Sequence, residues 1–352
     1  MLDPFGRSID YLRVSLTDRC NFRCVYCMPE EGFPATPKDE HLSADEFVRL
    51  VRIAAGLGIT KVRLTGGEPL LRNDLPEIVQ KIAGIDGISD LSCTTNGFLL
   101  EQRAQELKDA GLHRVNISLD TLRADRFAKI ARRGSLDTVL EGIETALNAG
   151  LTPVKINCVA MEGKNADEAA DFARWTLHSP VHVRFIELMP IRWNLDEAPT
   201  MNEHLDSGLL TLRRSNGSML NSAEMRRSFV SSERLTQMIE SEFGPLEPAE
   251  LPTNGPARTF RIPGAKGTVG FISQISSDLC ERCNRLRLTH DGFLRPCLMS
   301  DGELNLRDPL RSGANDNAIR ELFLHVVRHK PERHYLAEGQ KVVGRGMSQI
   351  GG

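Results

Sequence analysis

The chain has 352 residues with 44 Lys+Arg against 47 Asp+Glu, a net charge of −3, and is 40% hydrophobic and 26% charged. Such a chain buries a core without disulfide help, as about two domains or one large one, and its composition excludes disordered, collagen-like and coiled-coil classes. The balanced charge argues against coating nucleic acid or an anionic membrane, no stretch approaches the ~18 apolar residues of a spanning helix, and the charged start MLDPFGRSIDYLR lacks a secretory core, so a cytoplasmic location is expected.

A strand is predicted over 12–16. Directly after it comes Asp18-Arg19-Cys20-Asn21-Phe22-Arg23-Cys24-Val25-Tyr26-Cys27, the first of two cysteine triplets. Two further cysteines, Cys93 and Cys158, stand alone in apolar runs and read as core. In a reducing compartment, clustered cysteines point to metal rather than disulfides. The spacing C-x3-C-x2-C puts three thiolates in one loop with no fourth nearby. Structural zinc takes four ligands, and ferredoxin-type sites supply four cysteines. Three thiolates on a [4Fe–4S] cube leave one iron open for a substrate or cofactor. The plainer alternative is zinc with a distant fourth ligand such as His41.

Ser43-Ala44-Asp45-Glu46 reads as a capping box, and Phe47, Leu50, Val51 and Ala54 then form one apolar stripe before Gly56 and Gly58. A strand over 61–64 runs into Thr65-Gly66-Gly67-Glu68-Pro69, where glycine lets the backbone approach a neighbour closely. Strands over 90–94 and 114–118, a helix over 136–149, a strand over 153–160, a helix over 166–177 and a strand over 181–188 follow. Six β-α units in series predict an α/β fold, a parallel sheet with helices outside it, open or curled into a barrel. The polar, Ser/Asn-rich run 192–230 reads as a surface excursion or linker. A helix over 231–243, strands over 259–262 and 269–272, a helix over 315–328 and a Gly-rich tail complete the chain. The expected organisation is therefore 1–190, a polar insertion at 191–230, and 231–352.

The second triplet is Cys280-Glu281-Arg282-Cys283-Asn284-Arg285-Leu286-Arg287 with Cys297 beyond it. The spacing C-x2-C-x13-C suits a second cluster or a zinc site. Arg285 and Arg287 share one face of a strand, where the guanidinium fork suits a phosphate-bearing ligand.

The first triplet, with an aromatic residue before its last cysteine, resembles the signature of the radical S-adenosylmethionine (SAM) enzymes. The ordered set LRVSLTDRCNFRCVYCMP, KVRLTGGEPLLR, TTNG, NISLD, VKINCVAM, RFIELM, CNRLRLT and terminal IGG resembles the GTP 3′,8-cyclase family, which opens molybdenum cofactor biosynthesis, over residues 7–190 and 230–352. The resemblance implies a partial (βα)6 TIM-like barrel with a C-terminal cluster-binding extension. It implies that Cys20, Cys24 and Cys27 hold a [4Fe–4S] cluster, that Cys280, Cys283 and Cys297 hold a second, and that SAM lies against Tyr26, Gly67, Ser118 and Met189. GTP is expected at Arg13, Arg63, Thr94, Lys155, Arg285, Leu286 and Arg287, with Arg184 a further phosphate contact. A 5′-deoxyadenosyl radical would take the 3′ hydrogen of GTP, and C3′ would then join C8 of guanine; no side-chain acid or base is singled out. Gly351-Gly352 would extend into the cavity, the protein would be a homodimer, and its product would pass to the cyclic pyranopterin monophosphate synthase. The charges agree: GTP brings about four negative charges into a buried site, and Arg13, Arg63, Lys155, Arg285 and Arg287 offset them. Two other readings stand beside this one, a peptide-modifying radical enzyme with an auxiliary cluster and a non-enzymatic zinc scaffold.

Overall fold

The computed structural model describes residues 1–34, 36–189, 191, 220, 222–251, 255–277, 279–334 and 345–351. Six strands, β1 (Tyr11–Ser15), β2 (Lys61–Thr65), β3 (Asp90–Thr95), β4 (Arg114–Ser118), β5 (Lys155–Ala160) and β6 (His182–Glu187), pair in parallel in chain order. The helices that connect them are α1 (Ala44–Ala55), α2 (Leu75–Ala83), α3 (Leu100–Asp109), α4 (Ala124–Ile130) with α5 (Leu136–Asn148), and α6 (Ala169–His178). The capping box opens α1 as expected: Glu46 N–H donates to Ser43 Oγ at 3.2 Å and Ser43 N–H to Glu46 Oε2 at 2.8 Å. β5 starts at Lys155 rather than 153, because Pro153 brings no N–H to a ladder. The helix expected from 166 opens as a 3-10 turn over Ala166–Glu168 before α6 begins.

The C-terminal third supplies both edges of the same open sheet. After α7 (Ser222–Arg227) and α8 (Ser232–Phe243), β7 (Glu247–Pro248), β8 (Arg258–Arg261) and β9 (Thr268–Ile272) extend it beyond β6. Then β10 (Arg285–Leu288), β11 (Phe293–Arg295) and β12 (Leu304–Asn305) extend it beyond β1, before α9 (Arg307–Arg311) and α10 (Asp316–Arg328). The order is β12-β11-β10-β1-β2-β3-β4-β5-β6-β9-β8-β7.

Of the polar run 192–230, residues 192–219 lie outside the described residues. Its end is not surface linker. Leu220 N–H donates to Val25 O at 3.1 Å, and Leu220 and Met225 are buried with Val25, Ile130, Met161 and Leu188. These apolar residues close over the loop that carries the first cysteines. No helix among the described residues is long and apolar enough to cross a membrane.

Candidate active site

A sheet covered by helices on one face alone can keep a polar opposite face, and this one does. One face of β1 to β6 and β10 carries Leu12, Val14, Val62, Leu64, Leu91, Cys93, Val115, Ile117, Ile156, Cys158, Val183, Phe185, Leu286 and Leu288, all buried in the main core. The register places the polar residues on the other face in rows: Arg287, Arg13, Arg63, Ser92 and Arg114 in one, Thr94 beside Asn116, Asn116 beside Lys155, and Asn157 beside Arg184.

Cations dominate this face. Asp90 pairs with Arg114 at 2.7 Å. Arg184 is held by Asn116 Oδ1 and Asn157 Oδ1, at 2.9 and 2.6 Å. Burial and then Arg63 pull the Arg13 guanidinium down to about 9. Burial, Arg184, Arg114 and Arg63 bring the Lys155 ammonium down to about 6. Arg63, Arg184 and Arg287 are lowered too, burial being the first cause for each. Positive groups that depress one another inside a protein are arranged for an anion.

The chain's own end reaches this face. Arg13 Nε and Nη2 donate to Gly351 O at 3.1 and 2.8 Å, and Arg287 Nη1 donates to Ile350 O and Gly351 O at 3.1 and 2.9 Å. Gly351 has φ +73°, and a Cβ there would lie 2.6 Å from Thr65 Cγ2, so this close approach requires glycine. Arg345 fixes the base of the segment through Asp291 and Glu303, each at 2.9 Å. Gly352 lies outside the described residues.

Cys20, Cys24 and Cys27 line a cleft beside this face, together with Tyr26, Gly67, Thr94, Ser118 and Met189. Burial is the first cause that pushes their thiols up, Cys20 to about 11, Cys27 to about 12 and Cys24 well above the usual range. Such sulfurs ionise when a cation compensates them, which is what bound iron provides. Backbone N–H of Phe22 points at Cys20 Sγ, 3.4 Å away, a contact that favours thiolate. Among the described residues, neither cysteine triplet gathers its sulfurs within 4.8 Å of one another. Sulfurs around one zinc ion, bound at ~2.3 Å each, would be closer than that.

Gly67 has a second reason to be glycine. A Cβ there would stand 2.2 Å from Arg19 O, in the backbone that leads into the cysteine loop. Tyr26 is fixed by its hydroxyl, which donates to Asp120 Oδ2 at 2.8 Å. Glu68 accepts from Thr95 Oγ1, Asn96 N–H and Leu70 N–H, yet burial still lifts its carboxyl to about 7.

Cys280, Cys283 and Cys297 line a second pocket with Arg285 and Arg287. Here burial pushes the Cys283 thiol up but Arg285 and Lys330 overcome it, leaving it at about 7. Arg7 Nη1 donates to Cys280 O at 2.9 Å, and Lys330 Nζ donates to Arg285 O at 2.9 Å. Leu286 turns to the opposite face and is buried in the core, paired in register with Leu12, so its side chain does not line the pocket. Between the two pockets lies an apolar partition in which Ile191 and Met299 pack with Met189, Cys297 and Met347.

Sequence reasoning passed over Arg114, Asn116, Asn157, Glu68 and Asp120. The signal for the first three was in the strands: Arg114-Val115-Asn116-Ile117-Ser118 and Lys155-Ile156-Asn157 alternate polar and apolar residues, unlike the continuous apolar runs of a parallel sheet covered on both faces.

Two family models match the chain, the radical SAM superfamily over residues 14–176 and Molybdenum Cofactor Synthesis C over 216–336. The GTP 3′,8-cyclase of Pelotomaculum thermopropionicum is 48% identical over 353 residues, and that of Heliobacterium modesticaldum 49% over 354, each covering 100% of both chains. Among solved structures, Streptococcus suis SuiB bound to S-adenosylmethionine aligns with a TM-score of 0.53 at 15% identity, covering 89% of this chain and 68% of that one, a likeness of fold.

Proposed function

The chain belongs to the GTP 3′,8-cyclase family of radical SAM enzymes, and from that membership we propose which of its residues carry each part of the work. The reaction is a radical cyclisation in the first step of molybdenum cofactor biosynthesis: C3′ of the GTP ribose loses its hydrogen to the 5′-deoxyadenosyl radical and joins C8 of the guanine, and two electrons from an external reductant, one to cleave SAM and one, with a proton, to quench the cyclised radical, give 3′,8-cyclo-7,8-dihydroguanosine 5′-triphosphate, methionine and 5′-deoxyadenosine. A [4Fe–4S] cluster and SAM are the cofactors of the family.

Cys20, Cys24 and Cys27 would hold that cluster, and when bound it supplies the electron that cleaves SAM. Tyr26, Gly67, Ser118 and Met189 line the same cleft and would hold SAM. The observation that carries the substrate reading is the cationic face. Arg13, Arg63, Lys155, Arg184 and Arg287 stand in adjoining registers with their pKa values lowered first by burial, and a triphosphate among them would stabilise their protonated forms. Asn116 and Asn157 orient Arg184 from below. Thr94, within the SAM cleft and paired in register with Lys155's neighbour Asn116, would lie where the ribose meets SAM. The Met189–Met299–Met347 partition keeps water from a reactive radical. Cys280, Cys283 and Cys297 would hold a second [4Fe–4S] cluster at the guanine end, and Arg285 and Arg287 would close the site beside it. The cysteine usage fits a cytoplasmic protein, and a homodimer that hands its product to the cyclic pyranopterin monophosphate synthase completes the reading.

The test is an anaerobic assay of the reconstituted protein with SAM, GTP and dithionite, following 5′-deoxyadenosine and the cyclised nucleotide separately. Cys20→Ser should lose SAM cleavage altogether. Cys283→Ser should keep uncoupled SAM cleavage while cyclisation falls at least a hundredfold. Intact cyclisation in Cys283→Ser would remove the second cluster from the reading, and zinc in place of iron and sulfide would remove the radical chemistry.

A further inference from the structure

Asp18, His41 and His290 come together outside both cysteine triplets, Asp18 standing two residues before Cys20. One ligand atom from each lies within 4.8 Å of the other two, the spread at which a single ion can be held. The three residues come from separate parts of the chain: Asp18 from the segment leading into the first cysteine loop, His41 from just before α1, and His290 from the turn between β10 and β11. The side chains of Asp18 and His290 are 4% and 0% exposed. His41 is the outermost, at 17%, and it lines a surface pocket with Thr17, Lys38 and Ser43, which gives an ion a way in.

Hydrogen bonds do not complete this group. Thr36 N–H and Oγ1 donate to Asp18 Oδ2 at 3.0 and 2.7 Å, His290 Nε2 meets Thr36 Oγ1 at 3.0 Å, and His41 Nε2 meets Thr36 O at 3.2 Å. Asp18 Oδ1 remains buried without a partner, and so does His290 Nδ1. Asp18 Oδ1 faces His41 Nε2 at 3.8 Å, and Asp18 Oδ2 faces His290 Nε2 at 3.6 Å. Those separations are too long for hydrogen bonds. They are close to the ~3.4 Å between ligands that each stand ~2.1 Å from one tetrahedral ion.

We propose that Asp18, His41 and His290 form a site for a divalent first-row cation, zinc foremost, with the fourth position left to the Thr36 hydroxyl or water. Two imidazoles and one carboxylate are a borderline donor set of the kind zinc accepts. The ion would tie together the approach to the first cysteine loop, the start of α1 and the arm that carries β10 and β11. Its role is to brace these segments against one another, separately from the iron chemistry.

The measurement uses the iron- and sulfide-loaded protein, dialysed against a metal-chelating resin and then titrated with Zn²⁺ or Co²⁺. One zinc per chain should bind beyond the iron, and bound Co²⁺ should show visible d–d absorption without a sulfur-to-cobalt charge-transfer band. Zinc should raise the melting temperature of the parent protein. His41→Ala, a change at the exposed rim, should weaken zinc binding at least tenfold and abolish that rise while leaving iron and sulfide content unchanged. His41→Cys should restore zinc binding and add a sulfur-to-cobalt band. Failure of the loaded parent protein to bind either ion overturns the proposal. So does zinc binding that is indifferent to His41→Ala and already carries the sulfur band, because the ion would then sit on cysteines.

Discussion

Lys155 is nearly neutral before its ligand arrives, with its ammonium brought down to about 6 by burial and the surrounding arginines. A triphosphate placed among those arginines reverses the balance and raises the lysine pKa, so the complex holds one more proton than the free protein above pH 6. Affinity for GTP should therefore weaken as pH rises from about 6 toward the pKa in the complex, by up to about tenfold per pH unit from this group. Calorimetry of the loaded protein at pH 8, in two buffers of different ionisation enthalpy, should read an uptake approaching one proton per GTP, and Lys155→Met should remove it. An uptake that survives the substitution assigns the proton elsewhere. For folding the sign is separate. The unfolded lysine holds a proton between about 6 and its usual 10.5 that the folded one has lost, so this residue makes stability rise with pH across that window.

At the scale of elements, the approach of α5 to α3 is set by one missing side chain. A Cβ on Gly142 would lie 2.4 Å from Gly97 O and 3.1 Å from Leu100 Cβ. Alanine is worth up to about 1 kcal/mol over glycine within a helix, but here the helices must part to admit it. Gly142→Ala should lower stability by about 1–3 kcal/mol net, read as a lower urea midpoint at unchanged slope; a raised midpoint would mean that the contact yields freely. The elements themselves were largely legible. β-Branched runs marked β1 to β6, and Ser43 with Glu46 marked the start of α1, because these signals are local. The cationic face was legible in part, through Arg13, Arg63, Lys155 and Arg287. Arg114, Asn116 and Asn157 join it only once the register is known. The burial of Leu220 and Met225 was hidden by the polar residues around them, since composition over a long window averages away a few anchors. Asp18, His41 and His290 carry no spacing signal at all, being brought together by three distant segments.

For the whole molecule, the position of β1 decides what can be removed. It is an interior strand with β2 on one side and β10 on the other, and β6 is likewise covered by β9. A fragment of residues 1–190 would leave both strands as bare edges and uncover core partners of Leu286, Leu288, Val269 and Phe271. It should aggregate on expression, whereas residues 1–334, which keep every strand among the described residues, should give a soluble product with a cooperative thermal transition; a soluble, cooperatively melting 1–190 would show that the six-strand unit stands alone. The same arrangement has a consequence in time. Some 270 residues separate the end of β1 from the start of β10. At about 5–20 residues per second, a ribosome takes some 14–54 s to cover that distance. Throughout that interval β1, once paired with β2 on one side, presents its other edge open next to the first cysteine loop, so the yield of folded protein should respond to slower synthesis at reduced temperature.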